Sequence, residues 1–175
     1  VFDSSLIKGY KKIIILFGCA NEGILSENVI TKISQCNNIV VLKETTSNIN
    51  NTSFFGKIDQ LIAPIEHQKN SSNLFNKLSP ELLITVGGMI VSKKIKTMLR
   101  AHRPSAHIHL GHNDAKDTFY SGVEHFKIDP DLFFKTCLDE FFSNYNYKKL
   151  WIDISKKREL AHAKYISDSP FSDLK

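Results

Sequence analysis

Three histidines lie close together in the sequence and are the first residues that could do chemistry. His107 and His109 alternate along Ala106–Leu110, so in a strand they share one face, and His112 and Asp114 follow closely. Imidazole and carboxylate groups gathered in this way can ligate a metal ion. However, the sequence has no HExxH motif and no cysteine beside them. We therefore interpret them as partly exposed histidines of a strand end and loop, and we predict no metal site.

The cysteines offer a second possible chemistry. Cys19, Cys36 and Cys137 are odd in number and form no CxxC motif. We therefore expect neither a disulfide framework nor a zinc ribbon, and a reducing cytosol fits this usage best. Cys19 precedes a predicted helix, a position at which a thiol can become nucleophilic. No partner histidine can be assigned, so we favour a turn residue, with a small enzyme that uses Cys19 or the histidines as the alternative.

A glycine pair offers a third possible chemistry, the binding of an anion. Gly87 and Gly88 lie between a predicted strand and a predicted helix, where backbone N–H groups attract anions. The surrounding residues match neither the GxGxxG fingerprint nor a Walker A loop. A tight turn explains the pair by backbone freedom alone, and we favour that interpretation. The alternative is an anionic ligand held by Gly87, Gly88 and Lys93, together with Arg100 or Arg103.

Apolar runs that alternate with amphipathic segments must position these residues. Strands are predicted over Ile13–Phe17, Asn38–Lys43, Glu81–Val86, Ala106–Leu110 and Gly122–Ile128. Helices are predicted over Glu22–Gln35, from about Ile90 to His102, and over a short segment that ends at Leu78, whereas Lys57–Ala63 is ambiguous. Continuous runs rich in β-branched residues suit strands buried on both faces. The pattern predicts a three-layer α/β/α sandwich with a mostly parallel, Rossmann-like sheet, in which ligands bind beyond the carboxyl ends of the strands.

The last third of the chain contains two more predicted helices. Asp129 is a good N-cap and Pro130 suits the first helical position. The apolar stripe of that helix comprises Phe134, Leu138, Phe141 and Phe142. Tyr147–Ser167 is polar and rich in lysine, and we interpret it as a linker helix that packs loosely and leads elsewhere. We therefore divide the chain into an α/β domain over 1–145 and a linker over 146–175.

Composition excludes several classes of protein. The 175 residues are 42% hydrophobic and 23% charged, which is typical of one globular domain and not of a disordered, collagenous or coiled-coil chain. No apolar run approaches the roughly 18–20 residues of a membrane helix, so we predict no membrane insertion. The net charge is +5, but only three of the 23 basic residues are arginine. We therefore predict no nucleic-acid partner, because base readout favours arginine.

The chain resembles one enzyme family. The segment Glu81–Lys96, which begins with Glu-Leu-Leu-Ile-Thr-Val-Gly-Gly, resembles the central domain of 2-succinyl-5-enolpyruvyl-6-hydroxy-3-cyclohexene-1-carboxylate synthases (MenD), especially those of Bacteroidetes-like bacteria. Asp117-Thr118-Phe119 is similar to a segment that follows the fourth strand in that family, and Tyr165–Leu174 is similar to the approach to its carboxyl-terminal domain. The chain begins at Val1 rather than Met, so we expect it to be a piece of a longer protein.

The resemblance implies a function for the longer protein. Such synthases of menaquinone biosynthesis have three α/β domains and use thiamine diphosphate with Mg²⁺ as a cofactor. They decarboxylate 2-oxoglutarate and add the product to isochorismate, a transferase reaction. The glutamate that activates the cofactor lies in the amino-terminal domain and the diphosphate–Mg²⁺ site in the carboxyl-terminal domain. No catalytic or cofactor-binding residue is therefore carried over to this chain.

For the chain itself, the resemblance implies a catalytically inert scaffold between pyrimidine-binding and diphosphate-binding domains, with no cofactor of its own. The parent would be a cytoplasmic homodimer or homotetramer. The alternative is a free-standing module that binds a nucleotide or another small ligand.

Overall fold

Strands and helices alternate along the chain. The computed structural model describes residues 7–141 and 143–169. The strands are β1 (Ile13–Phe17), β2 (Ile39–Lys43), β3 (Leu82–Val86), β4 (Ala106–Leu110) and β5 (Val123–Phe126). The helices are α1 (Glu27–Gln35), α2 (Ile58–Glu66), α3 (Ser71–Leu78), α4 (Lys93–Ala101), α5 (Pro130–Cys137) and α6 (Tyr147–Asp168). Short 3-10 turns cover Thr45–Ser47 and Leu138–Phe141. The five predicted strands are confirmed, with ends that shift by at most two residues.

The strands form one sheet in the order β2-β1-β3-β4-β5, and all of them are parallel. Ile15 of β1 pairs with Val41 on one side and with Ile84 on the other. The strand order therefore reverses at β1, because β2 and β3 lie on opposite sides of it. This order is typical of a doubly wound α/β fold, whose ligands bind at the carboxyl ends of the two strands beside the reversal.

Two separate cores cover the two faces of the sheet. Ile13, Ile15 and Phe17 pack with residues of α1 and α5, whereas Ile14 and Leu16 pack with residues of α2, α4 and α6. All five side chains of β1 are fully buried. This two-sided burial is the reason why β1 is apolar at every position and not at alternate positions. The three-layer α/β/α sandwich is confirmed.

The helix starts differ from the prediction in two places. The first helix was expected from Glu22 but begins at Glu27, because Gly23 has a positive φ of 77° and the chain turns there. The helix expected from about Ile90 begins at Lys93, where Ser92 accepts a hydrogen bond from the amide of Ile95. The ambiguous segment after Lys57 is helical and forms α2. Local sequence identified these helices, but caps and turns set their ends.

The predicted start of α5 is confirmed. Asp129 Oδ1 accepts a 3.0 Å hydrogen bond from the amide of Leu132, and Pro130 is the first helical residue. Phe134, Leu138 and Phe141 are buried, as the stripe predicted. Phe142 lies outside the described residues.

Helix α6 is only partly the loosely packed linker that we expected. Tyr147 and Trp151 are buried in the second core, and the Tyr147 hydroxyl donates to the carbonyl of Leu78. Lys148 Nζ donates a 2.8 Å hydrogen bond to the carbonyl of Ser34. The expectation of loose packing is wrong for the first two turns, because their aromatic residues complete the core. The division at residue 145 stays a prediction, and 170–175 lie outside the described residues.

Among the described residues, none of the helices combines the length and the apolar character that a membrane span requires.

Candidate functional site

The loops at the strand-order reversal touch each other directly. The amide of Gly88 donates a 2.6 Å hydrogen bond to the carbonyl of Cys19, and the amide of Gly18 donates a 3.0 Å bond to the carbonyl of Val86. A Cβ atom on Gly18 would clash with the carbonyl oxygen of Gly88, and one on Gly87 would lie 2.6 Å from the carbonyl oxygen of Cys19. Gly87 also has a positive φ of 82°. The absence of a side chain at these glycines therefore lets the two loops pack closely, in agreement with the turn interpretation that we favoured.

The N-terminus of α4, the expected anion-binding position, holds a carboxylate of the chain itself. Glu44 Oε1 accepts hydrogen bonds of 3.0 Å from the amide of Val91 and 2.8 Å from the amide of Ser92. The Ser92 hydroxyl donates to Asp59 and accepts from the amide of Ile95. Free amides at a helix start attract anions. Here Glu44 occupies the amides of Val91 and Ser92, so an external anion would have to displace Glu44 to bind these two amides.

An open cleft lies beside this helix start, at the carboxyl ends of β3 and β4. Its volume is about 390 Å³. It is lined by Thr85, Gly87, Gly88, Met89, Ile90, Lys96, His109, Asn113, Asp114, Lys116, Thr118 and Phe119. The lining combines apolar side chains with a few polar groups, as small-molecule sites do.

The structure does not gather the five residues of the anion hypothesis. Gly87 and Gly88 line the cleft, whereas Lys93 borders a different depression that contains Glu44. Arg100 Nε donates 2.8 Å to the carbonyl of Thr118, and its guanidinium lies 5.0 Å from the ring centre of Tyr120. Arg103 is exposed and lies between α4 and the amino end of β4, whereas the glycines follow the carboxyl end of the parallel strand β3. The anionic ligand stays a prediction without a common site for its cations.

The histidines of β4 belong to a chain of hydrogen bonds that runs through the sheet. His107 Nδ1 lies 3.0 Å from the hydroxyl of Ser121, and its Nε2 lies 3.0 Å from the hydroxyl of Thr85. The same Thr85 oxygen lies 3.0 Å from Nδ1 of His109. The ring of His109 lies beside that of His125, with 5.4 Å between the ring centres and 52° between the ring planes. We define Thr85, His107, His109 and Ser121 as the histidine chain.

Proton positions in the histidine chain are coupled. Thr85 has one hydroxyl proton and cannot donate it to both rings. At least one of His107 and His109 must therefore donate its own N–H to Thr85. The arrangement holds the orientation of both rings and links the tautomer of one ring to that of the other.

Burial keeps these rings neutral. Burial lowers the pKa of His107 to about 4, although the nearby Asp117 carboxylate opposes the shift and His109 adds to it. Burial also lowers the pKa of His109, and His125 acts in the same direction. Partial burial alone would raise the pKa of Asp117, but the amides of Ser121 and Gly122 hold it below the usual range. The histidine chain is therefore uncharged near neutral pH.

His107 does not fit the interpretation of the histidines as partly exposed residues. It is buried, because it faces the second core against Phe119, with 5.5 Å between ring centres. His109 is half-buried and His112 is exposed, as expected for a strand end and a loop. In residues 7–141 and 143–169, no group of three or more His, Cys, Asp or Glu side chains could hold a metal ion.

The cysteines show no assembled nucleophile. All three are free thiols, and only Cys19 is exposed. Cys19 lies in the loop after β1 and not beside a helix start, since α1 begins at Glu27. Burial raises the pKa of Cys36, and it raises that of Cys137 to about 12.

Comparison with known proteins gives one consistent family, although no protein-family model matches the chain. The chain is similar to "2-succinyl-5-enolpyruvyl-6-hydroxy-3-cyclohexene-1-carboxylate synthase" of Flavobacterium psychrophilum, with 36% identity over 94% of the chain and 29% of the relative. The synthase of Flavobacterium johnsoniae is 38% identical over 98% of the chain and 30% of the relative. That of Christiangramia forsetii is 39% identical over 92% of the chain and 28% of the relative.

The chain thus spans less than a third of the length of these relatives, and nearly all of it aligns with them. It therefore belongs to the family of these synthases, as a segment of the longer protein.

Proposed function

We propose that the chain is the central structural domain of a thiamine diphosphate-dependent synthase of menaquinone biosynthesis, located in the cytoplasm. The parent would decarboxylate 2-oxoglutarate and add the resulting succinyl unit to isochorismate. The observation that carries this proposal is the match of more than nine tenths of the chain to less than a third of each synthase. The doubly wound sheet supports it, because each domain in such enzymes is expected to be α/β.

The residues that the structure describes do not fit the cofactor. A diphosphate needs free donors and a Mg²⁺ ion needs oxygen ligands. Glu44 already accepts from the amides of Val91 and Ser92 just before α4, and the described residues offer no group of three or more His, Cys, Asp or Glu side chains that could hold a metal ion. We propose that the flanking domains bind thiamine diphosphate and Mg²⁺, and that this domain sets their spacing within a homodimer or homotetramer.

The test compares the parent protein with this segment. Both are purified and incubated with 2-oxoglutarate, isochorismate, thiamine diphosphate and Mg²⁺. We expect the parent to form product and the segment to form none at any cofactor concentration. Turnover by the segment alone would refute its role as a scaffold. A parent protein without turnover would refute the proposed synthase activity.

The cleft supports a second candidate, a module that binds a small anionic ligand. Lys96 and Lys116 border the cleft together with Gly87 and Gly88. A ligand that binds the native state raises its melting temperature by mass action. A screen of nucleotides and small carboxylates would give a saturable shift for this candidate, reduced by Lys116→Ala. If no compound in the screen changes the melting temperature, only the scaffold role remains.

A further inference from the structure

A pocket beside the middle of α6 is bordered by three side chains that can bind an anion. Its volume is about 270 Å³, and its walls come from the segment 52–57, the start of α2 and the middle of α6. The three side chains are Lys57, Arg158 and His162. Arg158 and His162 are four residues apart on α6, so they lie on the same side of that helix. We call this space the Arg158 pocket.

The two charged groups of the Arg158 pocket have no acidic partner. Other basic side chains of the domain pair with carboxylates, as Lys94 does with Glu66. By contrast, neither Lys57 nor Arg158 forms an ion pair with any residue that the structure describes. Like charges that border one pocket repel each other, and a bound anion would replace this repulsion by attraction.

The carboxylate that borders the pocket does not cancel its charge. Glu159 is the one acidic side chain among the described lining residues. Its Oε1 accepts a 3.1 Å hydrogen bond from Oγ of Ser155, one turn earlier on α6. Lys57 and Arg158 carry two positive charges against this single negative charge. The pocket therefore keeps a positive charge.

The buried part of the lining is apolar. Phe54 and Leu61 are buried, and the half-buried Phe55 lies beside Trp151 with 6.2 Å between the ring centres. The amide of Phe55 donates a 2.9 Å hydrogen bond to the carbonyl of Val41, which holds this wall against β2. The volume lies below the roughly 300–1,000 Å³ of pockets that bind drug-sized ligands, so a fitting ligand is small.

We propose that the Arg158 pocket binds the phosphoryl group of a small molecule. A guanidinium, an ammonium group and an imidazole border the pocket. A phosphoryl group offers them three acceptor oxygens and a charge of about −1.5 to −2, whereas a carboxylate offers two oxygens and a single charge. The apolar lining favours a phosphate ester over free phosphate, because an apolar ester group would cover Phe55. The site is independent of the proposed function, since all of its residues belong to this chain.

The first experiment measures ligand binding to the full-length protein by isothermal titration calorimetry. Thiamine diphosphate and Mg²⁺ are present in excess, so that any diphosphate site elsewhere in the protein is filled. The probes are phenyl phosphate, inorganic phosphate and benzoate. We expect phenyl phosphate to bind saturably, and benzoate to bind about tenfold more weakly because it carries less charge and fewer acceptors.

The three probes also distinguish the source of the bound group. Inorganic phosphate that binds as tightly as phenyl phosphate would support the phosphoryl site and identify free phosphate as its ligand. Benzoate that binds as tightly as phenyl phosphate would overturn the proposal, as would the absence of saturable binding by both phosphates.

The second experiment locates the site with matched variants of the full-length protein. Arg158→Gln and Lys57→Asn each remove one charge from the pocket, and Asn tolerates the positive φ of 51° at residue 57. Lys156→Gln removes an exposed charge from the opposite side of α6, because two residues turn a helix by about 200°. We expect phenyl phosphate to bind each pocket variant about tenfold more weakly and Lys156→Gln unchanged. Equal affinity in all three variants would overturn the proposal.

A labelling experiment tests the same site without any substitution. Acetic anhydride acetylates exposed lysines, and mass spectrometry gives the rate at each position. Phenyl phosphate should slow the acetylation of Lys57 severalfold and leave that of Lys156 unchanged. Equal rates at Lys57 with and without phenyl phosphate would contradict the site. A Lys57 that does not react even without the probe would show that the pocket is covered in the full-length protein, and this result would also overturn the proposal.

Discussion

The side-chain oxygen of Thr85 lies 3.0 Å from Nε2 of His107, and both residues are buried. The same oxygen lies 3.0 Å from Nδ1 of His109. One hydroxyl of β3 therefore satisfies a nitrogen on each of two rings of β4. The pairing register produces this contact, because Thr85 stands directly opposite His109.

The first prediction concerns that hydroxyl. Thr85→Val keeps the shape of the side chain but leaves ring nitrogens of His107 and His109 without a partner. An unsatisfied buried polar group costs about 1–3 kcal/mol, so the free energy of unfolding should fall by that amount. Urea denaturation measures the change. Thr97→Val is the control, because Thr97 is exposed and bonds only within its own helix. A Thr85→Val variant as stable as Thr97→Val would contradict the role of the histidine chain.

The second prediction concerns acid sensitivity. Folded His107 has a pKa of about 4 against an ordinary value of 6.5, so the unfolded chain binds more protons between these values. Stability is therefore complete above pH 6.5 and falls as the pH drops to 4, by up to about 3 kcal/mol. The free energy of unfolding, measured from pH 7 to pH 4, should decrease as the pH falls. In His107→Gln this decrease should be much smaller.

Some decrease of the free energy of unfolding with pH should remain in His107→Gln, because burial also lowers the pKa of His109. Asp117 and Asp131 act in a different range. Their pKa values lie below the ordinary 3.8, so their contribution is lost only as the pH falls below that value. A His107→Gln variant with the full slope above pH 4 would exclude His107 as its cause.

The sequence predicted the fold well because its signals are local. Ile13–Phe17 is apolar at every position, and only a strand buried on both faces needs that composition. Asp129 and Pro130 mark a helix start by their own chemistry, with no distant partner required. The helix boundaries near Gly23 and Ser92 were less accurate, since turn geometry there competes with the apolar periodicity.

The site was harder to predict because its contacts join distant parts of the chain. Glu44 is 47 residues from Val91, whose amide it binds, and no local pattern links the two. Thr85 was not predicted as a site residue, because its contact with His107 depends on the register between two strands. A sequence argument that paired the two predicted strands could have found it, since residues on adjacent parallel strands share a face.

The third prediction tests the carboxylate at the start of α4. Glu44→Ala removes the acceptor for the amides of Val91 and Ser92 and should lower stability by about 0.5–2 kcal/mol, as the loss of a helix cap does. It should also free these amides for an external anion. Inorganic phosphate should therefore raise the melting temperature of Glu44→Ala more than that of the unsubstituted chain.

Glu22→Ala is the matched control for charge, because Glu22 is exposed. It removes the same negative charge but frees no helix amides. If phosphate raised both variants equally, the effect would be general charge screening and not occupation of the helix start.

The fourth prediction tests loop packing at the strand-order reversal. Gly18→Ala would place a methyl group against the carbonyl of Gly88 and 2.9 Å from that of Met89. Neither backbone group can rotate away, so overpacking should cost about 1–3 kcal/mol or more. Gly56→Ala is the control, since its nearest neighbour would be a lysine side-chain carbon at 3.9 Å. Thermal denaturation of the two variants gives the comparison, and equal melting temperatures would mean that the loops move apart freely.

The fifth prediction separates the two halves of α6. Trp151 is buried in the second core and contacts Tyr147 with 6.5 Å between ring centres. Trp151→Ala should therefore lower the free energy of unfolding by about 3–5 kcal/mol, as the removal of a large core side chain does. Leu160 is 74% exposed on the same helix, and Leu160→Ala should change stability by less than about 0.5 kcal/mol.

Both substitutions put alanine into one helix, so helix propensity has little influence on the difference, which reports the packing of the surrounding surface. Denaturant unfolding of each variant measures it. A small effect for Trp151→Ala would mean that α6 is detachable from the α/β domain from its first turn, and the domain would then end before Tyr147. A large effect places the first two turns of α6 within the domain and leaves only its second half to reach another part of the parent.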